Sequence, residues 1–317
     1  MLIFLLLIMA QGIKAPGLTL DEVPFSNWLS YLSDSRVVDI PIIPGSHNSG
    51  SHKISLKEPL HCRLMYPWAR QQHLSIWDQL SAGVRFLDFR LHVIDGSAVR
   101  LSHRFDTSYL LEIALKEVKR FLAENSSEFV VLYLRIDFDN PLGDADSDKN
   151  LLERILVESD ISLANLDGEK LSETLVQEVA GKAIILTPAD EVLKFDSKIP
   201  RIDSRRYYSV QDIWRCRFAN GSNGGKELLK QYVCAPYEPK PGFRGMAIDM
   251  TSMLTPAWAS PSLNEWFFDN LKDNPGWRDR LNKGPIGVLL FDFADMHSTA
   301  KIIQFNLSRI GVGVTLS

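Results

Sequence analysis

The chain has 317 residues, 45% of them hydrophobic and 23% charged, with a formal net charge of -4. That is the composition of a folded globular protein and excludes a disordered chain or a membrane bundle. The mild acidity provides no basic field for a nucleic acid, so none is expected as a partner.

The chain opens on an apolar run from Leu2 to Ala10, followed by Gln11 and Gly12. The run is too short to span a bilayer. Its position and the small residues after it predict a signal peptide over residues 1–12, leaving 13–317 as one domain of a secreted, monomeric protein. Asn125, Asn220 and Asn306 each open a glycosylation acceptor, which suits that route. Cys62, Cys216 and Cys234 are odd in number. Cys216 and Cys234 are close enough to bridge a modest loop, or all three are buried thiols.

Beyond the leader, strand patterns fall at residues 37–43, 84–90, 99–102, 129–136, 183–186, 207–210, 246–250 and 287–292. A helix is predicted over residues 110–124, with Leu111, Leu115, Val118 and Leu122 at helical spacing. Residues 141–149 read as an acidic loop or lid. Eight strands alternating with helices predict an α/β fold of parallel β/α units.

Polar residues cluster where these strands end. His47 follows the first and Arg90 ends the second. His103 follows the third, Arg135 closes the fourth, Asp212 follows the sixth and Asp292 ends the eighth. In a parallel barrel the C-terminal ends of all strands meet on one face, and that face carries the chemistry. Charge held there is costly unless paired or used. Alternation along residues 84–90 puts Leu87 and Phe89 on one side of the strand, Asp88 and Arg90 on the other. Two histidines and an arginine suit phosphodiester cleavage. One ring takes a proton from the attacking hydroxyl, the other gives one to the leaving oxygen, and a guanidinium holds the phosphoryl oxygens.

The segments Pro44-Gly45-Ser46-His47, Gly83-Val84-Arg85-Phe86-Leu87-Asp88-Phe89-Arg90 and Leu101-Ser102-His103 together resemble the X region of phosphatidylinositol-specific phospholipases C. The likeness extends to the bacterial enzymes and the eukaryotic proteins that carry the X domain alone. It implies a distorted (β/α)8 TIM barrel. It implies His47 as general base, His103 as general acid, Arg90 on the phosphate and Asp292 orienting the base. Asp88 matches an active-site acid. Arg135 falls at the place of a substrate-contacting lysine, and Asp212 and Trp214 at the place of an Asp and a Tyr that contact inositol. Asn48 stands where the bacterial enzymes have an Asp that supports the general acid, and Pro188 where an inositol-binding arginine is found. The implied partner is the headgroup of phosphatidylinositol or of a glycosyl-phosphatidylinositol anchor, reached by peripheral contact with a membrane.

Calcium-dependent relatives need an Asn beside the first histidine and several carboxylates. Asn48 and Asp88 match two such ligands, but Arg90 and Arg135 stand at two others. No metal or other cofactor is therefore expected, with calcium as the alternative. Three other functions compete with this reading. One is a metal-dependent phosphodiesterase for another headgroup. Another is a headgroup binder that has lost turnover, and the third is a purely structural secreted protein. Trp258, Trp266, Phe267 and Phe268 are candidates for membrane contact, with ordinary core packing favoured.

Overall fold

The computed structural model describes residues 18–19, 23–53, 69–94, 96–103, 105–136, 145–188, 199–211, 243–248, 264–270, 274–281, 284–310 and 314–315. Ten strands build its main sheet: β1 (Ile42–Ser46), β2 (Phe86–Ile94), β3 (Ala98–His103), β4 (Phe105–Leu110), β5 (Val130–Ile136), β6 (Ala183–Thr187), β7 (Ile202–Asp203), β8 (Tyr208–Gln211), β9 (Phe243–Ile248) and β10 (Gly287–Phe291). Eight are paired in parallel along the path β7-β6-β5-β2-β1-β10-β9-β8. Among the described residues the path stays open between β7 and β8.

All five residues of β1, β6 and β10 are buried, as befits parallel strands covered on both faces. Alternation splits them between two cores. Ile43, Phe86, Val131, Ile184, Leu186, Ile202, Val288 and Leu290 fill the barrel interior. Trp28, Leu29 and Leu32 join them from the 3-10 segment Phe25–Leu32, which plugs the bottom. Ile42, Leu87, Phe89, Leu132, Leu134, Ile185 and Leu289 face outward. They pack under helices α1 (Ile76–Ser81), α2 (Leu111–Glu124) and α3 (Ala145–Glu158). Leu111, Leu115, Val118 and Leu122 are the buried stripe of α2, where the helical spacing put them.

Three expectations about the elements are corrected. Residues 99–102 lie within β3, which is no barrel stave. β3 runs antiparallel to β2, with Leu91 opposite Leu101 and Ile94 opposite Ala98, and β4 folds back on it. The reason is connection length: a parallel crossover needs a dozen or more residues, and too few separate β2 from β3. The remaining stave is β7, only two residues long. Residues 37–43 begin as a 3-10 turn, Val37–Asp39, and the strand starts at Ile42. The expected loop at residues 141–149 is helical from Ala145. Leu151, Leu152, Ile155 and Leu156 give α3 a buried stripe that extends the helix toward its N-terminus.

Asn306 is fully buried in α4 (Met296–Arg309) and is no glycan acceptor in the folded chain. Its Nδ2 donates to the Ile42 carbonyl at 2.7 Å and its Oδ1 accepts from the Ile42 amide at 3.1 Å, clamping α4 to β1. Asn125 is half-buried and donates to the Phe121 carbonyl at the end of α2. Phe267 and Phe268 are core residues, and Trp266 packs against that core. Trp258, Asn220, the three cysteines and the leader residues 1–12 lie outside the described residues.

Candidate active site

The inward positions that are apolar deep in the barrel become polar as their strands reach the C-terminal end. Ile43 and Gly45 lead to His47, Phe86 leads to Asp88 and Arg90, Val131 to Arg135, and Val288 and Leu290 to Asp292. β1 and β10 are neighbours, with Ser46 opposite Phe291, so His47 and Asp292 emerge side by side. Each is followed by a residue in the left-handed region, Asn48 at φ 45° and Phe293 at φ 53°. The chain therefore turns away at once and leaves the polar side chain at the rim. Asn tolerates that conformation; for Phe it is an outlier that its surroundings must hold.

His47 is buried, and its Nδ1 lies 2.9 Å from Asp292 Oδ1. On the other edge, Arg90 Nη2 stands 2.6 Å from Nε2, and Asn48 Nδ2 stands 3.2 Å from it. Guanidinium and amide nitrogens only donate, so Nε2 carries its lone pair and the proton sits on Nδ1, toward the carboxylate. Burial, with the Arg90 charge beside it, holds the His47 pKa well below its ordinary value near 6.5. The ring is neutral at pH 7 with Nε2 as its basic atom.

Asp88 organises the cations. It accepts from the Asn48 amide at 3.1 Å, and Arg135 Nε lies 3.3 Å from Oδ1 and Arg90 Nη2 3.4 Å from Oδ2. Burial opposes ionisation of Asp88, but Arg135 and Arg90 outweigh it and hold the carboxyl below the usual carboxylate range. His103, at the end of β3, is buried with Nδ1 2.9 Å from the Ala69 carbonyl, so Nδ1 donates and Nε2 is the working atom. The His47 and His103 rings are 6.4 Å apart between centroids, at 62°. Arg90 Nη2, 2.6 Å from His47 Nε2, stands at the same mouth.

The sequence-predicted residues His47, Asn48, Asp88, Arg90, His103, Arg135 and Asp292 meet at this mouth. Asp212 and Trp214 lie outside the described residues. Asn48 lies at the base: its side-chain nitrogen is 3.2 Å from His47 Nε2. Its Oδ1 is buried without a hydrogen-bond partner among the described residues.

Sequence reasoning passed over Gln72. It is fully buried, and its Nε2 donates to the carbonyls of His47 at 2.9 Å and Phe291 at 3.0 Å. Its Oε1 accepts from the Ala294 amide at 3.0 Å. Its partners are backbone groups up to 222 residues away, which leave no trace in local pattern. Gly50 is a second such position. A side chain there would collide with Leu101 of β3, so glycine lets the hairpin bring His103 against the His47 loop.

Comparison with known proteins gives a family match for part of the chain and a fold for most of it. The PI-PLC X 1 family model matches residues 66–148, a stretch that includes Asp88, Arg90, His103 and Arg135. Human PI-PLC X domain-containing protein 1 is 31% identical over 134 residues, covering 34% of this chain and 41% of that protein. The 1-phosphatidylinositol phosphodiesterase of Staphylococcus aureus (strain Newman) is 32% identical over 117 residues, covering 36% of this chain and 35% of that protein. This chain thus spans well under half the length of either relative. A solved structure of the phosphatidylinositol-specific phospholipase C of Staphylococcus aureus superposes with a TM-score of 0.68 at 18% identity. It covers 91% of this chain and 99% of the other, which shows the fold. Residues 66–148 thus match the PI-PLC X 1 family model, and the fold that carries them is the distorted TIM barrel seen in the bacterial phosphatidylinositol-specific phospholipases C.

Proposed function

We propose that the chain is a phosphoric diester hydrolase of the phospholipase C type, cleaving phosphatidylinositol by attack of the substrate's own 2-hydroxyl. His47 Nε2 takes the hydroxyl proton while Asp292 holds the Nδ1 proton and steadies the imidazolium. The 2-oxygen forms a bond to phosphorus as the bond to the glycerol oxygen breaks. His103, in its protonated form, gives that oxygen a proton from Nε2. Arg90 moves from His47 Nε2 onto the phosphoryl oxygens as charge builds there. Arg135, held by Asp88, adds a second positive group. The products are diacylglycerol and inositol 1,2-cyclic phosphate. Because nucleophile and phosphorus belong to one molecule, the step gains from proximity.

The observation that carries this reading is the pair of buried rings 6.4 Å apart, one locked as a base by Asp292 and Arg90. A metal has little place in it. The Asp88 carboxylate already carries two guanidiniums, and among the described residues no three of His, Cys, Asp and Glu gather as a ligand set. Calcium takes six to eight oxygens, and that donor set does not fit it. The leader-like run Leu2–Ala10 supports secretion. A second reading, a headgroup binder with weakened turnover, is favoured by Asn48 in place of a carboxylate.

The test is phosphorus NMR of the products from phosphatidylinositol vesicles, with and without chelator. Inositol 1,2-cyclic phosphate is expected first, at equal rates in both samples. A substrate methylated at the 2-oxygen stays intact. Comparable cleavage of the methylated lipid overturns the intramolecular path, loss on chelation with rescue by calcium restores a metal, and binding without product favours the second reading.

A further inference from the structure

A base and the carboxylate that orients it work as a pair only if their backbones keep one relation. His47 and Asp292 are 245 positions apart and sit on two strand ends, each followed by a left-handed residue. Strand pairing ends at Ser46 and Phe291, one residue short of both. Beyond it, the His47 amide donates to the Phe291 carbonyl at 3.2 Å, a long bond. The Gln72 carboxamide takes over the work of the sheet at that point.

We propose that Gln72 is a positioning residue: its carboxamide fastens the ends of β1 and β10 together and so sets the alignment in which Asp292 meets His47 Nδ1. One NH2 group reaches a carbonyl on each strand end, and the oxygen holds the Ala294 amide two residues beyond Asp292. Only a carboxamide supplies two donors and an acceptor in one rigid plane; Glu lacks the donors and Met lacks all three. The group is itself anchored. Ser51 Oγ accepts from the amides of Gln71 and Gln72 at 3.1 and 3.0 Å, and the Gln71 carbonyl accepts from the Phe293 amide at 2.7 Å. The same strut carries Ala69, whose carbonyl holds His103. Residues 69–72 therefore touch the backbone of His47, the residues on both sides of Asp292, and His103. A misplacement of about 1 Å in such a constellation costs on the order of a hundredfold in rate.

The inference rests on the reading of His47 as general base, and its first measurement needs no substrate. Long-range proton–nitrogen NMR reports which ring nitrogen of His47 carries the proton, with the signal assigned by its loss in His47→Ala. In the wild type a single tautomer, protonated at Nδ1, is expected. Gln72→Met, similar in volume but without the three hydrogen bonds, shifts the ring to a mixture of tautomers. It also lowers kcat about ten- to a hundredfold with KM within about twofold. Gln72→Asn, which keeps the amide but withdraws it by one methylene, gives the same changes in milder form and serves if the Met variant does not fold. A wild-type ring spectrum and kcat in a folded variant, with only the melting temperature lowered, overturns the proposal. A variant that changes the ring tautomer in a protein without turnover supports the positioning role while sinking the catalytic reading.

Discussion

Two ion-pair clusters lie at opposite ends of the same barrel, and they are built to different rules. At the bottom, Arg85 and Glu128 are fully buried, with Nη2 and Oε2 2.5 Å apart. Every polar atom of the pair is engaged. Arg85 also donates to the carbonyls of Leu80, Val84 and Phe25, and Glu128 accepts from the Leu29 amide and Ser127. Phe121 stacks on the guanidinium, with its centroid 4.8 Å away. At the mouth, two arginines share one carboxylate at 3.3 and 3.4 Å, and Asn48 Oδ1 has no hydrogen-bond partner among the described residues. The saturated pair joins the N-terminal plug to the staves. The mouth cluster is spread over longer contacts between more groups. Charge at a barrel's bottom serves stability and charge at its top serves chemistry.

The sharpest way to break this comparison is at the bottom. Glu128→Ala leaves a buried guanidinium without its carboxylate, and a loss of about 3–5 kcal/mol in unfolding free energy is expected. Activity per folded molecule should stay unchanged. Urea titration with active-site-normalised rates checks both, and a selective loss of rate would show that the two ends are coupled.

At the mouth the balance reverses. His47→Ala or His103→Ala should each lower turnover by about a hundredfold or more, with a small change in melting temperature. A variant that keeps near-normal turnover loses its assigned role.

The smallest effect is one of pH. The folded His47 pKa lies below about 6.5, the value in the unfolded chain, so the unfolded state takes up the proton first as pH falls. Stability from this group is intact above pH 6.5 and declines as pH drops below it, toward the folded pKa. The acid limb of kcat/KM should likewise fall below pH 6.5. A limb at or above that value would mean that Arg90 and burial do not control the ring.

The barrel was legible because alternation and strand ends survive in one sequence. Asp88, Arg90, Arg135 and Asp292 all follow apolar residues on the same inward face. What escaped was set by partners distant in the chain. β7 has two residues and no pattern to read. Gln72 works through backbone carbonyls that any residue provides. Asn48 was matched by likeness to a position held by an Asp elsewhere, and its contact with His47 Nε2 shows only in the fold. The error over β3 was avoidable, since the few residues between two strands already forbade a parallel crossover.

That hairpin has a mechanical consequence. The base and its orienter ride on adjacent staves that share a ladder of main-chain bonds. His103 rides on an arm whose rim contacts include the Ala69 carbonyl and the close approach of Leu101 to Gly50. If the proposed roles hold, the gap between the two rings is set by how this hairpin seats on the barrel, and the relation of base to orienter is set by the barrel itself.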